Sequence, residues 1–359
     1  MAGAMITDTH AFMGHAIKIT RRDIAGGGRD DDDGDDSDDA YVDPFFFDEG
    51  AFCYTVAAST GFCRVWEGAS ALTSLLESDD FPLRDKLAGK RVLELGAGVG
   101  LCGIAAAVAG AHVCVSDLRP VVDGVLATNV ALNAADENDP NDAADGDGDG
   151  DGDGDGDAAD RAWDGATRVI GGRGGTACAR ALDWTRPVDE QCARRGVDDG
   201  GGVDNSCASS FEFDPRDAEI IIAAECLWLR ELLAPFADTA CEIMRASDAR
   251  RRARRGVSNP GEEGPASGGE RCRCVLSFRD RSSTAAFAAA GEGRGDENEC
   301  GNENSGGGGA FVPVRDVVDA FTSRGCVCAL LHERASEEDD GFRVHVFSIS
   351  FSPAADDDA

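Results

Sequence analysis

The chain has 359 residues, and its 68 aspartates and glutamates outnumber its 34 lysines and arginines, which gives a formal charge of −34. Proteins that bind a nucleic-acid backbone need clustered positive charge, so this composition excludes that class of partner. No uncharged apolar run approaches the roughly 20 residues that span a bilayer. We therefore expect no membrane partner and a cytoplasmic location, with the nucleus as a second compartment.

Two acidic tracts carry much of the negative charge. Residues 30–39 hold eight aspartates, and residues 135–160 hold eleven aspartates and one glutamate, without a lysine or arginine in either tract. Such segments bury too little apolar surface to offset the entropy lost on ordering. We predict a disordered acidic head over residues 1–40 and one domain over residues 41–354. The predicted disordered inserts of that domain lie near residues 135–163, 190–212, 248–270 and 290–309.

Strands and helices alternate along most of the domain. The segment 41–66 is rich in aromatic residues and is predicted to form short strands. Later strands are predicted at 91–95, 111–117, 177–184, 218–225, 273–279, 326–333 and 342–350, with 167–170 as a competing or separate piece of the third. Helices are predicted at 67–77, 101–109, 120–134, 229–246 and 311–325. This order implies a mostly parallel sheet with helices on both faces, and the two last strands form a hairpin.

The cysteines and the arginine cluster are both interpreted as ordinary structural features. The 14 cysteines are expected to be free thiols, and none of the five histidines has the spacing of a zinc ligand, so no metal site is predicted. The cluster of arginines at 250–255 lies in a polar stretch and is interpreted as a solvated loop. Arg279, at the end of a predicted strand, is interpreted as an exposed arginine, with the rim of a substrate site as the alternative.

A glycine turn follows the first strand of the alternating region. Gly96, Gly98 and Gly100 allow the backbone to turn tightly and to approach a ligand closely. Asp117 ends the next predicted strand, where a carboxylate can accept hydrogen bonds from both hydroxyls of a ribose. The combination predicts a nucleoside ligand. Leu101 occupies the position of the third glycine in a dinucleotide fingerprint, and the phosphate loop of P-loop ATPases is absent.

The segment ELGAGVGLCGIAAAVAGAHVCVSD resembles the S-adenosylmethionine-binding core of class I, seven-β-strand methyltransferases. Three further segments resemble, more narrowly, the non-SET protein-lysine methyltransferases, the group that includes the valosin-containing-protein lysine methyltransferase. These segments are residues 65–69 (VWEGA), 182–184 (LDW) and 223–228 (AAECLW). The resemblance covers residues 41–352 outside the inserts. It implies a Rossmann-like, seven-stranded, mostly parallel α/β sheet with an antiparallel C-terminal hairpin. It also implies S-adenosyl-L-methionine as cofactor and a protein substrate that bears a target lysine.

The resemblance implies a role for each matching position. Trp66 would border the cofactor pocket, Asp117 would hold the ribose and Trp184 would lie against the adenine. Gly96, Ala97 and Gly98 would line the methionine side, with Glu94 nearby, and Ala224 would contribute to the site at the end of the fourth strand. Glu225 and Trp228 stand where the group usually has an aspartate and a tyrosine, and Glu67 replaces another aspartate. These replacements bear on the geometry of the substrate end.

We expect Glu225 to orient the lysine amine by accepting its N–H bonds and Trp228 to form a wall of the lysine channel. A strand-end acid that binds backbone N–H groups is the alternative for Glu225. Two other functions stay open: a methyltransferase for a small molecule or another residue type, and a catalytically silent cofactor-binding scaffold. A nicotinamide-dependent dehydrogenase is disfavoured by Leu101 and by the closing hairpin. A monomer is our working expectation, although the sequence does not separate it from a dimer.

Overall fold

The computed structural model describes residues 5–23, 61, 63–79, 81–135, 166–192, 213–256, 271–280, 312–338 and 341–352. The strands predicted within residues 41–60 and most of the predicted inserts lie outside these residues. Residues 63–66, at the end of the aromatic segment, form no regular strand. The described residues contain a two-stranded sheet and an eight-stranded sheet.

The eight-stranded sheet confirms the predicted fold class, with one strand more than predicted. Its spatial order is β5-β6-β4-β3-β7-β8-β10-β9. The strands are β3 (Arg91–Leu95), β4 (His112–Asp117), β5 (Arg168–Ile170), β6 (Gly175–Ala181), β7 (Ile220–Ala224), β8 (Arg273–Asp280), β9 (Cys326–Ala335) and β10 (Arg343–Phe351). The five strands β6, β4, β3, β7 and β8 are parallel, whereas β10 is antiparallel to both of its neighbours.

Helices cover both faces of this sheet. They are α1 (Glu67–Glu77), α2 (Leu101–Val108), α3, α4 (Val188–Cys192), α5 (Arg230–Gly256) and α6 (Val314–Thr322). Helix α3 consists of Arg119–Val121, a π-helical stretch Val122–Leu126, and Ala127–Leu132. Apolar residues of α1, α2 and α3 form the core on one face, and those of α5 and α6 form the core on the other. The central strands are buried on both faces, which explains their continuous apolar runs.

The prediction of a disordered head is wrong for residues 5–22. Strands β1 (Met5–Phe12) and β2 (His15–Arg22) form an antiparallel hairpin, whose turn has positive φ at Met13 and Gly14. Phe12, Ile17 and Ile19 are buried in the core beside α1 and α2. The side chains of Asn129 in α3 and of Asn133, which caps its C-terminus, bond to the backbone of Thr20 and Lys18, respectively. The hairpin is ordered because α3 supplies partners for its backbone.

The arginine cluster is helical, which corrects both the predicted loop and the start of the insert at residue 248. Helix α5 continues to Gly256. Arg250 bonds to Asp214, Arg254 bonds to Asp217 and Arg251 bonds to Asp248, so three of these arginines have carboxylate partners. The piece predicted at 167–170 forms a separate strand, β5 (Arg168–Ile170), antiparallel to β6. Within the part of the chain that the structure describes, no helix is long and apolar enough to cross a bilayer.

Candidate functional site

A cleft opens at the carboxyl ends of β3, β4 and β7, the edge at which open α/β sheets bind their ligands. The space within it and at its open mouth amounts to about 930 Å³. All ten site residues predicted from the sequence line it: Trp66, Glu94, Gly96, Ala97, Gly98, Asp117, Trp184, Ala224, Glu225 and Trp228. The structure therefore brings together positions that span 163 residues of the chain.

The glycine turn connects β3 to α2 and forms the floor of the cleft. Gly96 has φ of +66°, and a Cβ there would lie 2.7 Å from Cβ of Cys226 and 3.0 Å from the ring of Trp184. A side chain at this position would therefore require both the left-handed backbone conformation and a shift of its neighbours. The absence of a side chain at Gly96 keeps the cleft open beside Trp184.

Asp117 ends β4 beside the glycine turn. Its Oδ2 accepts a 2.8 Å hydrogen bond from the Gly98 N–H, and its Oδ1 accepts a 2.7 Å bond from the Leu118 N–H. Burial raises the pKa of Asp117 to about 6, although both backbone bonds act in the opposite direction. Each carboxylate oxygen retains a lone pair, so the ionised group can accept further bonds from a ligand's hydroxyls.

Glu94 lies in β3 beneath the turn and is almost completely buried. Its Oε2 accepts a 2.9 Å hydrogen bond from the Gly103 N–H in α2. Burial raises the pKa of Glu94 to about 8, the Gly103 bond opposes this shift, and the negative charge of Asp117 adds to it. Near pH 7 this side chain is therefore mostly the neutral acid, which can donate as well as accept a hydrogen bond.

Aromatic rings border the cleft. Trp184 packs edge-on against Phe236 of α5, with ring centroids 5.1 Å apart. Trp66 precedes α1, and the guanidinium of Arg64 lies 4.1 Å from the centroid of its ring. Flat aromatic surfaces of this kind can stack on a base or border a hydrocarbon chain.

Glu225 follows β7 with a left-handed backbone, φ of +57°. Its side chain is shielded from solvent, and its Oε2 accepts a 2.7 Å hydrogen bond from the Gly68 N–H in the first turn of α1. This contact is the backbone role that the sequence left open as the alternative for Glu225. Trp228, three residues later, is largely buried and also lines the cleft.

Arg279 is buried, not exposed as predicted, with 6% of its surface accessible. Its guanidinium lies 3.3 Å from Oε2 of Glu67, 3.8 Å from Oε1 of Glu225 and 3.0 Å from Oε2 of Glu338. This cluster could not be predicted from the sequence, because its members are separated by up to 271 residues of chain. A charged residue inside an apolar strand pattern was the available signal for Arg279.

Glu67 is the second acid of this cluster, and it is 4% exposed. It accepts hydrogen bonds from the Ser336 hydroxyl at 2.5 Å and from the Glu337 N–H at 2.7 Å. Burial acts to raise the pKa of Glu67, but these two bonds and the charges of Arg279 and Arg334 outweigh it, and the pKa is lowered. The connection between β9 and β10 is thereby attached to the start of α1.

Comparisons with known proteins find partial similarity to lysine methyltransferases. Residues 55–143 match a family model described as lysine methyltransferase. The chain is 45% identical to the protein N-lysine methyltransferase METTL21A of Danio rerio over 69 residues. These aligned residues make up 19% of this chain and 29% of that protein. It is 43% identical to EEF1A lysine methyltransferase 3 of Mus musculus over 70 residues, and these aligned residues make up 20% of this chain and 28% of that protein.

The chain spans less than a third of the length of these curated relatives. Among solved structures, it is similar to magnesium protoporphyrin IX methyltransferase (ChlM) from Synechocystis PCC 6803 with bound SAH. The TM-score is 0.40 and the identity is 12%, over 85% of this chain and 90% of that one. The match to the lysine methyltransferase model confirms the resemblance inferred from the sequence motifs, and the matched range, residues 55–143, includes Trp66, the glycine turn and Asp117.

Proposed function

We propose that this protein is an S-adenosylmethionine-dependent methyltransferase that methylates a lysine side chain of a protein substrate. The observation that carries the proposal is the assembly of the glycine turn, Asp117 and three tryptophans around one cleft. The family match over residues 55–143 supports the same conclusion. The curated relatives, both named as lysine methyltransferases, support lysine of a protein as the acceptor.

The residues of the cleft fit this cofactor. Asp117 would accept hydrogen bonds from the ribose hydroxyls, and Trp184 would stack on the adenine. The space that a side chain at Gly96 would fill lies between Cys226 and Trp184, where a ligand can approach the backbone closely. Glu94, Ala97, Gly98 and Ala224 would surround the methionine part.

When bound, the cofactor supplies a methyl group on a sulfonium, which is already activated for transfer. The neutral amine would accept this methyl group, the cofactor would leave as a neutral thioether, and the methylated amine would release a proton to the solvent. A free lysine has a pKa near 10.4, so it is mostly protonated at pH 7. Trp228, together with Trp66 at the border of the cofactor pocket, would favour the neutral amine, because an apolar environment disfavours a charged group.

Glu225 and Trp228 would form the acceptor end of the cleft, with Glu225 orienting the amine. Positioning the amine in line with the methyl–sulfur bond is the main contribution that this chain makes to the rate. Glu225→Ala tests this role: the variant should bind the cofactor and lose transfer. Unchanged transfer by Glu225→Ala would remove Glu225 from the mechanism.

The acceptor is identified by transfer of a labelled methyl group. EEF1A, named in the mouse relative, is the first protein to test, followed by a cell lysate. The wild type should produce labelled methyl-lysine in a protein band. Asp117→Ala should not, whereas Asp123→Ala, which changes an exposed acid paired with Arg119, should behave like the wild type. Label confined to small molecules, or cofactor binding without any transfer, would contradict the proposal. The cytoplasm remains the predicted compartment.

A further inference from the structure

The backbone at Glu225 is held in a conformation that side chains rarely adopt. A left-handed φ in a residue other than glycine has a free-energy cost, and such strain persists only where surrounding contacts fix it. At Glu225 the backbone N–H donates a 2.8 Å bond to the Ser277 carbonyl, and the carboxylate accepts the Gly68 N–H. Both contacts join the end of β7 to neighbouring elements, β8 and α1.

The conformation of Glu225 determines where the next residues lie. Cys226 follows directly and occupies the space above Gly96. Its Cβ would lie only 2.7 Å from a Cβ introduced at Gly96. Trp228 follows two residues later in the lining of the cleft. A relaxed backbone at Glu225 would therefore displace the wall of the acceptor end.

Arg279 connects the two sides of this wall. On one side it lies 3.8 Å from Glu225. On the other, it lies 3.0 Å from Glu338, whose Oε2 is also 3.2 Å from Arg64, and Arg64 lies over the ring of Trp66. Arg279 also binds Glu67, the first residue of α1.

The electrostatics of the cluster require a cation at this position. Glu67 and Glu225 are both buried, and removing the partner of a buried charge is strongly destabilising. A guanidinium presents several N–H groups in a fixed plane, so it can bind several carboxylates at once. The compact ammonium group of a lysine is less suited to such binding.

We propose that Arg279 is a positioning residue that holds the left-handed turn at Glu225 and, through Glu338 and Arg64, the ring of Trp66. This inference rests on the proposed function for its effect on methyl transfer, but its structural part stands alone. In this account the buried arginine acts through Glu225 and touches neither cofactor nor acceptor.

The test compares Arg279→Met and Arg279→Lys with Arg216→Met. Arg216 pairs with Asp214 and Asp189 before β7, at the end of the sheet opposite the cleft, so its variant controls for the general loss of an ion-paired arginine. The local readout is the rate at which iodoacetamide alkylates Cys226, measured by peptide mass spectrometry. Burial holds the pKa of the Cys226 thiol well above its usual range, so a relaxed wall speeds alkylation. Cys241, buried in the core, reports global unfolding.

We expect alkylation of Cys226 to be about tenfold faster in Arg279→Met. The strain of one left-handed residue corresponds to roughly a tenfold change in the population of the relaxed wall. Cys241 should be unchanged, Arg279→Lys should be intermediate, and Arg216→Met should match the wild type. Methyl transfer at saturating cofactor should fall by about the same factor in Arg279→Met, while the calorimetric Kd for S-adenosylmethionine stays within about threefold.

Equal Cys226 rates in Arg279→Met and Arg216→Met would overturn the inference. If Arg279→Met does not fold, the Cys226 alkylation rates of Arg279→Lys and Glu67→Gln, compared with that of Arg216→Met, decide the role of Arg279. If the wild type binds no S-adenosylmethionine, the proposed function fails, whereas the alkylation result still decides the role of Arg279.

Discussion

The Gly68 N–H donates a 2.7 Å hydrogen bond to Oε2 of Glu225, across 157 residues of chain. This bond joins the first turn of α1 to the end of β7. It also satisfies one of the backbone N–H groups that have no partner within a helix's own first turn. The negative charge of Glu225 lies at the positive end of the helix dipole. The start of α1 and the acceptor end of the cleft are therefore one connected unit.

Gly68→Ala should separate these two elements. A Cβ at Gly68 would collide with Oε2 of Glu225 and lie 3.2 Å from Oγ of Ser277. Overpacking of this kind typically costs about 1–3 kcal/mol of the free energy of unfolding. Denaturant titration measures the loss, and methyl transfer should fall with it. Gly172→Ala is the matched control, because a Cβ there meets nothing within 4 Å. Equal stability of the two variants would show that the bond to Glu225 is unimportant.

Asp117 should make cofactor affinity depend on pH. Its pKa is raised to about 6, and only the ionised carboxylate can accept both ribose hydroxyls. The Kd for S-adenosylmethionine, measured by calorimetry, should therefore rise as the pH falls below about 6, reaching roughly tenfold at pH 5. Asp117→Asn should bind weakly with little change over this range. A wild-type Kd that is constant from pH 7 to pH 5 would exclude this role.

Glu94 should destabilise the fold at alkaline pH. Its pKa is about 8 in the folded protein against an ordinary value of 4.5, so folding disfavours the ionised form. The unfolded chain binds fewer protons than the folded one in this window, and stability falls as the pH rises from 4.5 to 8. Glu94→Gln keeps an acceptor for the Gly103 N–H without this titration.

We therefore expect Glu94→Gln to be more stable than the wild type at pH 8 by a few kcal/mol and equally stable near pH 4.5. Thermal unfolding at both pH values measures the difference. A constant difference between the two proteins would mean that Glu94 is ionised in the folded state and that its environment is more polar than the contacts indicate.

Trp184 and Trp228 should have separable effects on binding. Removing a base-stacking aromatic ring typically costs about 1–3 kcal/mol, so Trp184→Ala should weaken cofactor binding by about tenfold or more. Trp184→Phe should retain part of the affinity, since a phenyl ring can also stack. Trp228→Ala should leave the Kd within about threefold, because it lines the acceptor end. Calorimetry on the three variants measures the Kd for S-adenosylmethionine. A larger loss of affinity in Trp228→Ala than in Trp184→Ala would place the cofactor at the Trp228 end of the cleft.

The parts of the site that could be predicted from the sequence are encoded locally. Gly96 and Gly98 follow an apolar strand, and Asp117 follows the next one, so a few adjacent residues determine where each side chain lies. Parallel strands then bring their carboxyl ends together at one edge of the sheet. The helix at 67–77 and the strand at 91–95 were predicted with the bounds that the structure gives them.

The missed features depend on partners that are distant in the sequence. The hairpin at residues 5–22 alternates in burial, but a two-stranded hairpin is marginal alone and needs Asn129 and Asn133 to hold its backbone. The helix α5 extends through Arg250 because Asp214 and Asp217 neutralise its arginines. Arg279 was expected at the surface because its three glutamate partners come from elements that no local pattern connects.

Calorimetric titration of S-adenosylmethionine into the wild type and Asp117→Ala tests whether the cleft binds this cofactor through Asp117. We expect a Kd in the low micromolar range for the wild type, which is roughly 8 kcal/mol of binding free energy, and no measurable binding for the variant. Asp123→Ala, on the surface of α3, should bind as tightly as the wild type. A folded wild-type protein that binds no S-adenosylmethionine would show that this cleft is not the site of a methyltransferase.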